Sequence, residues 1–560
     1  MTDHDNGINT LVSEYHRGHI DRGEFLRRAA LLGLSAGAAA SLLAVPTAAS
    51  ASSRVLRIGP YGIWGNYDPA TNNSDGWTFP FAAIYEGLRA FKLGTTQPVN
   101  LLAESVDISA DGRKIAFSLK RGIQFHHGYG ELTAEDVKYS FERAAGFGKL
   151  YPDAKKGNVN DVSWYPGDFQ GLKQVQVTGK YSGVVIFKEP FAPFVNMTLP
   201  YTTSGMIISK KAVEKLGRNA WIQDPVGGLP VGTGPYMVVS HTPNKEVILQ
   251  RFKEYGGAAS ALTRSYDWDE IRIMLIPSSG MTAGESVAVP LQAGDVDFTT
   301  GLGARLAKSL VGHQGLQTYA RRQVSNYNYI TLNVQHPNLR DVRVRQAIRY
   351  AIDVPSLITV QGESQSSRIY SCVPPQLQSG YWPDAPRYNR DVDKAKHLMQ
   401  LAGVSSLKVD LEVSSGGANA KPEGELIQAN LADIGITANV LLVRPKDWVT
   451  NVNRAQITLV GYLGGPDPYF NLEWFSTSQI KFWNWAFWSN KEFDQLLAQL
   501  GLVIDPHKRT QIAIRMQQLM DQSAAFIWIN APVEHAAGTL HVKPAYDWDG
   551  NEVLQLFKAV

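Results

Sequence analysis

Two histidines stand side by side, His126 and His127, in the run Phe125-His-His-Gly128. Imidazole serves as metal ligand and as general base, so such a pair invites a search for chemistry. Adjacent residues at a strand end point to opposite sides, which is poor geometry for one metal ion. His313, His336, His397, His507, His535 and His541 are scattered, and no H-E-x-x-H, no G-x-S-x-G and no G-x-G-x-x-G ahead of a helix occurs. The glycines of Pro230-Val-Gly-Thr-Gly-Pro-Tyr236 suggest a phosphate loop, but a proline and a strand follow where a helix opening with Lys-Ser/Thr is needed. Asp295 and Asp297 read as solvated surface. Cys372 is the only cysteine, which excludes an intrachain disulfide and a CxxC zinc site. No catalytic residue, cofactor or metal site is therefore assigned.

Other residues suit binding without reaction. Trp64, Asn66, Asn73 and Trp77 crowd one loop early in the chain. A second loop reads Gly461-Tyr-Leu-Gly-Gly-Pro-Asp-Pro468, and Trp474, Phe482, Trp483, Trp485, Phe487 and Trp488 follow it. Planar aromatic faces suit peptide side chains, sugar rings or apolar organic groups, and loops on rigid scaffolds carry binding groups. The candidate ligand residues are Trp64, Asn66, Asn73, Trp77, Tyr462, Gly464, Gly465, Asp467, Trp483, Trp485 and Trp488. For Asp467 the competing role is a turn cap.

The elements that position these loops are read from pattern. Ser109-Ala-Asp-Gly112 is turn chemistry, and Ile115, Phe117 and Leu119 then alternate with polar or small residues as in a half-buried strand. Thr133-Ala-Glu-Asp136 reads as a capping box, with Leu132 and Val137 closing a hydrophobic staple. Val344, Ala347, Ile348, Ala351 and Ile352 fall on one helical face, and Asp341 and Arg345 are expected to pair on the other. Leu407–Val413, a helix around 426–434 and Ile436–Val443 form a β-α-β unit, which builds α/β lobes with parallel strands.

The chain of 560 residues is long enough for two or three domains, and its 44% hydrophobic and 19% charged content is ordinary for a soluble globular protein. The net charge of +3 and the lack of a basic run give no reason to expect nucleic acid. Arg22, Arg27 and Arg28 precede a small-residue apolar run from Ala29 to Val45, and Ala49-Ser-Ala51 fits a cleavage site. Residues 1–51 are thus expected to be a removed export signal.

The stretch from Leu102-Ala-Glu-Ser105 through Asp111-Gly112, Phe117-Ser-Leu-Lys120 and Phe125-His-His-Gly128 to Thr133-Ala-Glu-Asp-Val137 resembles the signature of the family 5 solute-binding proteins of bacterial ABC importers, the dipeptide- and oligopeptide-binding group. His127 replaces the usual aspartate. The family's D-V-R-V-R-Q-A-I-x-Y-A-I-D stands letter for letter from Asp341 to Asp353, and P-V-G-T-G-P-Y stands at Pro230–Tyr236. The resemblance implies an α/β, two-lobed periplasmic-binding-protein fold (type II, cluster C-like) with an extra subdomain inserted in the first lobe. Lobe I is expected at 52–302 plus 531–560, with the insertion at about 80–225, and lobe II at 303–530. The resemblance further implies a monomeric periplasmic component that captures a peptide or peptide-like solute between its lobes and delivers it to permease subunits in the inner membrane. Peptide-binding members keep an aspartate in the Gly461–Pro468 loop for the peptide's α-ammonium; here Gly464-Gly465 takes its place and only Asp467-Pro468 matches. That difference and the tryptophans motivate a second expectation, a saccharide or opine-type solute in the same fold. A secreted hydrolase is the reading from another class. The leader resembles a twin-arginine signal, although Gly23 stands where the second arginine belongs in Asp21-Arg-Gly-Glu-Phe-Leu-Arg27.

Exported protein is expected to begin near Ser52. Intact mass spectrometry checks this, and retention of residues 1–51 in exported material would contradict it.

Overall fold

Runs of β-branched and aromatic residues pair into three sheets of four or more strands among the described residues. The computed structural model describes residues 24–25, 28, 54–62, 67–71, 80–150, 163–217, 230–243, 245–256, 262, 265–276, 287–313, 315–322, 324–377, 379–415, 419–444, 447 and 455–560. The chain divides into Met1–Arg54 and Val55–Val560. In the first unit Glu24, Phe25 and Arg28 are helical, and Arg28 Nε donates to Glu24 Oε1 at 2.6 Å. The rest of the expected export signal, with its cleavage site at Ala51, lies outside the described residues.

In the second unit the larger sheet has seven strands, in the order Tyr236–Thr242, Glu246–Arg251, Glu270–Ile276, Val55–Gly62, Phe298–Leu302, Val533–Thr539 and Leu316–Arg322. Its centre is parallel: Val55–Gly62 runs with Glu270–Ile276 and with Phe298–Leu302. Leu56, Ile58, Leu249, Ile271 and Phe298 fill a core on one side. Leu291, Ala307 and Leu310, from two short helices, help to form a second core with Leu302 and Ala537.

The second sheet has five strands, in the order Ile436–Val443, Leu407–Ser414, Ile457–Tyr462, Tyr327–Leu332 and Phe526–Asn530. The expected β-α-β unit is its parallel half. Side chains alternate across it, so Ile330, Leu332, Leu411 and Ile529 enter one core while Tyr327, Tyr329, Val460 and Phe526 enter another. Both faces are covered, as a parallel sheet requires. The Val342–Ala351 helix packs Val344, Ala347, Ile348 and Ala351 inward as expected. The Asp341–Arg345 pair does not form. Asp341 pairs with Arg343 at 2.6 Å, and Arg345 turns inward to donate to the carbonyls of Ser523, Leu339 and Arg340. Carbonyls at the end of the Pro337–Leu339 turn and of the Pro506–Ser523 helix hold Arg345 in preference to an exposed carboxylate, which water already solvates.

A third, antiparallel sheet of Ala103–Ile108, Lys114–Leu119, Ser182–Phe187 and Leu172–Gly179 carries its own core with the Ala134–Ala144 helix. Ile115, Phe117 and Leu119 are buried, and Leu132 and Val137 are fully so. Asp136 accepts from Thr133 N at 3.0 Å and from Lys210 N at 3.0 Å, so the capping carboxylate also fastens the next helix.

The chain passes between the two larger sheets twice. Residues 304–322 pack and pair with the seven-stranded sheet, and pairing changes sheet between Arg322 and Tyr327. It changes back between Asn530 and Val533. Side-chain carboxylates hold both passages. Asp549 accepts from Ser325 N and Oγ, each at 2.7 Å, and Glu363 accepts from Val533 N at 2.9 Å.

Candidate functional site

The loop singled out in the sequence links the Ile457–Tyr462 strand to the helix Pro468–Glu473. Asp467 caps that helix by accepting from Tyr469 N at 2.8 Å, and Pro468 occupies the first helical position, where a missing N–H costs nothing. The same carboxylate accepts from Arg509 Nη2 at 2.5 Å and from Asn196 Nδ2 at 2.9 Å. Asp467 and Arg509 are each 1% exposed. Arg509 also donates to the carbonyls of Leu500 and Val503. Asp467 therefore caps a helix, neutralises a buried cation and ties the inserted region to the second sheet's helices. A ligand ammonium would have to displace Arg509 to use it.

Gly464 is set by close approach. A β-carbon there would lie 1.9 Å from the Ser325 carbonyl oxygen and 2.3 Å from Asn471 Oδ1. The loop is pressed against the first passage between the sheets, and no side chain fits. Gly465 lies against Phe470 and the Met197 sulfur.

Tyr462 organises the aromatic residues. Its ring stacks on Trp485 (centroids 5.5 Å apart, 20° between planes), on Trp474 (6.2 Å, 20°) and on Tyr329 (5.9 Å, 23°), and its hydroxyl donates to the Trp483 carbonyl. Trp483 meets Tyr462 and Trp474 edge-on and stays 42% exposed, next in sequence to Phe482 at 66%. Leu463 is exposed too, so these three form an apolar rim. Trp485 is buried, with its indole N–H donated to the Phe482 carbonyl at 2.7 Å. Trp488 is buried edge-on to Phe493 and Phe526. Of the tryptophans proposed from sequence in this region, Trp483 alone presents a large open face, while Trp485 and Trp488 buttress the core. Trp64, Asn66, Asn73 and Trp77 lie outside the described residues.

Sequence reasoning missed Arg509, Asn196, Asp168 and Glu473. Glu473 closes the Pro468–Glu473 helix half-buried, facing Asp168 and Asp467. Burial, then those two charges, pushes it up to about 8. Asp168, in the inserted region, accepts from Ser204 Oγ at 2.5 Å, and burial pushes it up to about 6. Near neutral pH Glu473 keeps its proton, so the junction is less acidic than its residue types suggest.

His126 is a structural clamp. Its Nδ1 accepts from Gly232 N at 3.3 Å and its Nε2 donates to the Gly234 carbonyl at 2.8 Å. Burial pushes it down to about 4, which keeps the ring neutral. It thus holds the Pro230–Tyr236 loop, whose Gly232 and Gly234 pass within van der Waals contact of the Ala83 and Ile84 carbonyls. Among the described residues no group of three or more His, Cys, Asp or Glu could hold a metal ion.

The family model described as bacterial extracellular solute-binding proteins, family 5 (middle), matches residues 97–483. The dipeptide-binding protein of Escherichia coli (strain K12) is 25% identical over 519 residues, which cover 88% of this chain and 92% of that protein. The glutathione-binding protein GsiB of Salmonella choleraesuis (strain SC-B67) is 25% identical over 513 residues, covering 89% and 92%. Among solved structures, the ABC transporter-associated periplasmic binding protein DppA from Helicobacter pylori, in complex with the peptide STSA, superposes with a TM-score of 0.70 at 25% identity, covering 90% of this chain and 97% of that one.

Two outcomes follow from this geometry. Asp467→Asn keeps the cap but strands the Arg509 charge, and is expected to destabilise the protein by about 3–5 kcal/mol in urea unfolding. Glu473 has a folded pKa raised above its unfolded value, so its contribution is complete below about pH 4.5 and is lost as pH rises through about 8. Melting temperature should therefore fall less between pH 5 and 8 in Glu473→Gln than in the wild type, as read by scanning calorimetry.

Proposed function

The chain belongs to family 5 of the bacterial extracellular solute-binding proteins, and from that premise we propose that it captures a peptide or peptide-like solute outside the cytoplasm and hands it to permease subunits of an ABC importer. The observation that carries this reading is the family match over residues 97–483, which takes in most of the inserted region, four of the five strands of the second sheet and Trp483. The peptide class rests on the dipeptide- and glutathione-binding relatives. The family is one of binding proteins, and in the proposed role no bond of the solute is made or broken.

The solute lies between the lobes and binds their closed arrangement better, so its differential affinity drives closure. The lobes assigned to this motion follow the sheets: Val55–Arg322 plus the residues from Val533 onward make one, and Tyr327–Asn530 the other. We further assign the protein a monomeric state, a periplasmic location and a leader removed near Ala51.

The handle for the solute is not its α-ammonium. Asp467 is committed to Arg509, and Gly464 leaves no room for a carboxylate. The exposed face of Trp483 and the Phe482–Leu463 rim supply stacking and apolar contact instead. This keeps an opine-type or saccharide solute as a second reading.

Purified mature protein would be screened by thermal shift against dipeptides, glutathione, sugars and opines, since a bound ligand raises apparent stability. A peptide hit should also lower the radius of gyration in X-ray scattering. Calorimetry should then give less than a tenfold loss, about 1.4 kcal/mol, when the hit is N-acetylated. Hits confined to sugars or opines would replace the peptide class, and a larger loss on acetylation would restore the ammonium as handle.

A further inference from the structure

A cavity of about 120 Å³ opens where the segment after the Phe81–Ile84 helix, the Leu199–Met206 part of the inserted region and the C-terminal residues Asp547–Gln555 meet. That volume exceeds the space for a single water several-fold. Tyr85, Phe91, Leu199 and Met206 make much of its wall apolar.

One cation is set in this wall. Arg89 lines the cavity, its Nε is buried without a hydrogen-bond acceptor, and among the described residues no carboxylate pairs with its guanidinium. Burial alone pulls its pKa down, with no neighbouring charge pulling the other way. Leaving a half-buried guanidinium unpaired is costly, and among the described residues the more deeply buried arginines have acceptors: Arg143 on Asp68, Arg345 on three carbonyls, Arg349 on Asp521 and Arg509 on Asp467. A second donor lies on the same cavity. Trp548 is 7% exposed, and its indole N–H is buried with no acceptor.

Two acids also line the cavity, but both are engaged elsewhere. Glu86 accepts from the Tyr255 hydroxyl at 2.6 Å and from Thr233 Oγ1 at 3.0 Å. Asp547 accepts from the backbone N–H groups of Asp549 and Asn551, at 2.8 and 2.9 Å, and from Asn551 Nδ2. The cavity thus offers one unpaired positive charge, a second N–H and an apolar wall.

We propose that this cavity is a carboxylate-binding pocket, in which the Arg89 guanidinium and the Trp548 indole N–H receive a single carboxylate carried on an apolar body. The planar fork of a guanidinium matches the two oxygens of a carboxylate, and one cation in a largely apolar wall suits a singly charged group on an apolar body better than a multiply charged phosphate. The carboxylate belongs either to the imported solute or to a separate small organic acid. The first source rests on the solute-binding function proposed above; the second does not.

The probes are benzoate, its neutral isostere benzamide, and a dipeptide hit as free acid and as C-terminal amide. Each is titrated by calorimetry into wild type, Arg89→Gln and Trp548→Phe. Because Arg89 has no partner to lose, Arg89→Gln without ligand should melt at or above the wild-type temperature. Benzoate should bind the wild type at least about tenfold more tightly than benzamide, and Arg89→Gln should lose that preference. Trp548→Phe, which keeps the ring and removes the donor, should weaken benzoate by a smaller factor. An acid-over-amide preference for the dipeptide that vanishes in Arg89→Gln assigns the pocket to the solute; benzoate selectivity without it assigns the pocket to a free acid. Benzoate selectivity with no solute of any class bound would sustain the pocket while sinking the solute-binding reading. Equal behaviour of benzoate and benzamide, or of wild type and Arg89→Gln, overturns the pocket.

Discussion

The buried pair of Asp467 and Arg509 is the contact on which the arrangement of this protein turns. Each charge would be costly alone, and each is satisfied several times over. Through Asn196 and the capped Pro468–Glu473 helix, the pair fixes where the inserted region meets the second sheet. It also fixes the height of the loop above, and so the position of Tyr462 and the tryptophans around it. The Asp467 carboxylate is consumed as a fastener, which in the proposed binding role leaves recognition to the aromatic surface.

Tyr462 shows how that surface is built. A ring stacked on three others and tied by its hydroxyl to the backbone of Trp483 cannot rotate freely. Trp485 and Trp488 spend their area on the core, which leaves Trp483 held from behind with one face open. Aromatic side chains lose little conformational freedom on binding, so in the proposed role a rim prepared in this way would contribute contact at low entropic cost.

Much of the fold was legible in the sequence because local signals and long-range packing agree. The Thr133–Asp136 box, the alternation through Ile115, Phe117 and Leu119, the apolar face of Val342–Ala351 and the β-α-β unit all form as patterned. The two-lobed architecture and the family were legible too, since the matched motifs span both large sheets. What failed was pairing between side chains. Asp341 and Arg345 are correctly spaced, yet Arg345 finds three carbonyls that no helical spacing rule records. Arg509 lies 42 residues from Asp467, and nothing local marks the two as partners. The candidate site was legible as a region and not as a set of contacts. Tryptophan content does not say which ring is outside, and the glycine at 464 reveals its reason only when the Ser325 carbonyl is found against it.

The two passages between the sheets carry a consequence for energetics. Ser325 and Val533 give their amide hydrogens to the side chains of Asp549 and Glu363, not to a neighbouring strand. A strand ladder must tear when its partners rotate apart, whereas a carboxylate on rotatable bonds can follow an amide through an arc. In the proposed closure such tethers would act as swivels, following the chain without a ladder to break at Ser325 and Val533. The gap between the two shapes is then free of a fixed toll from broken backbone bonds. Reversing a hundredfold bias takes only about 5.5 kcal/mol of preferential binding. A joint of this kind would keep the proposed switch within reach of one small molecule.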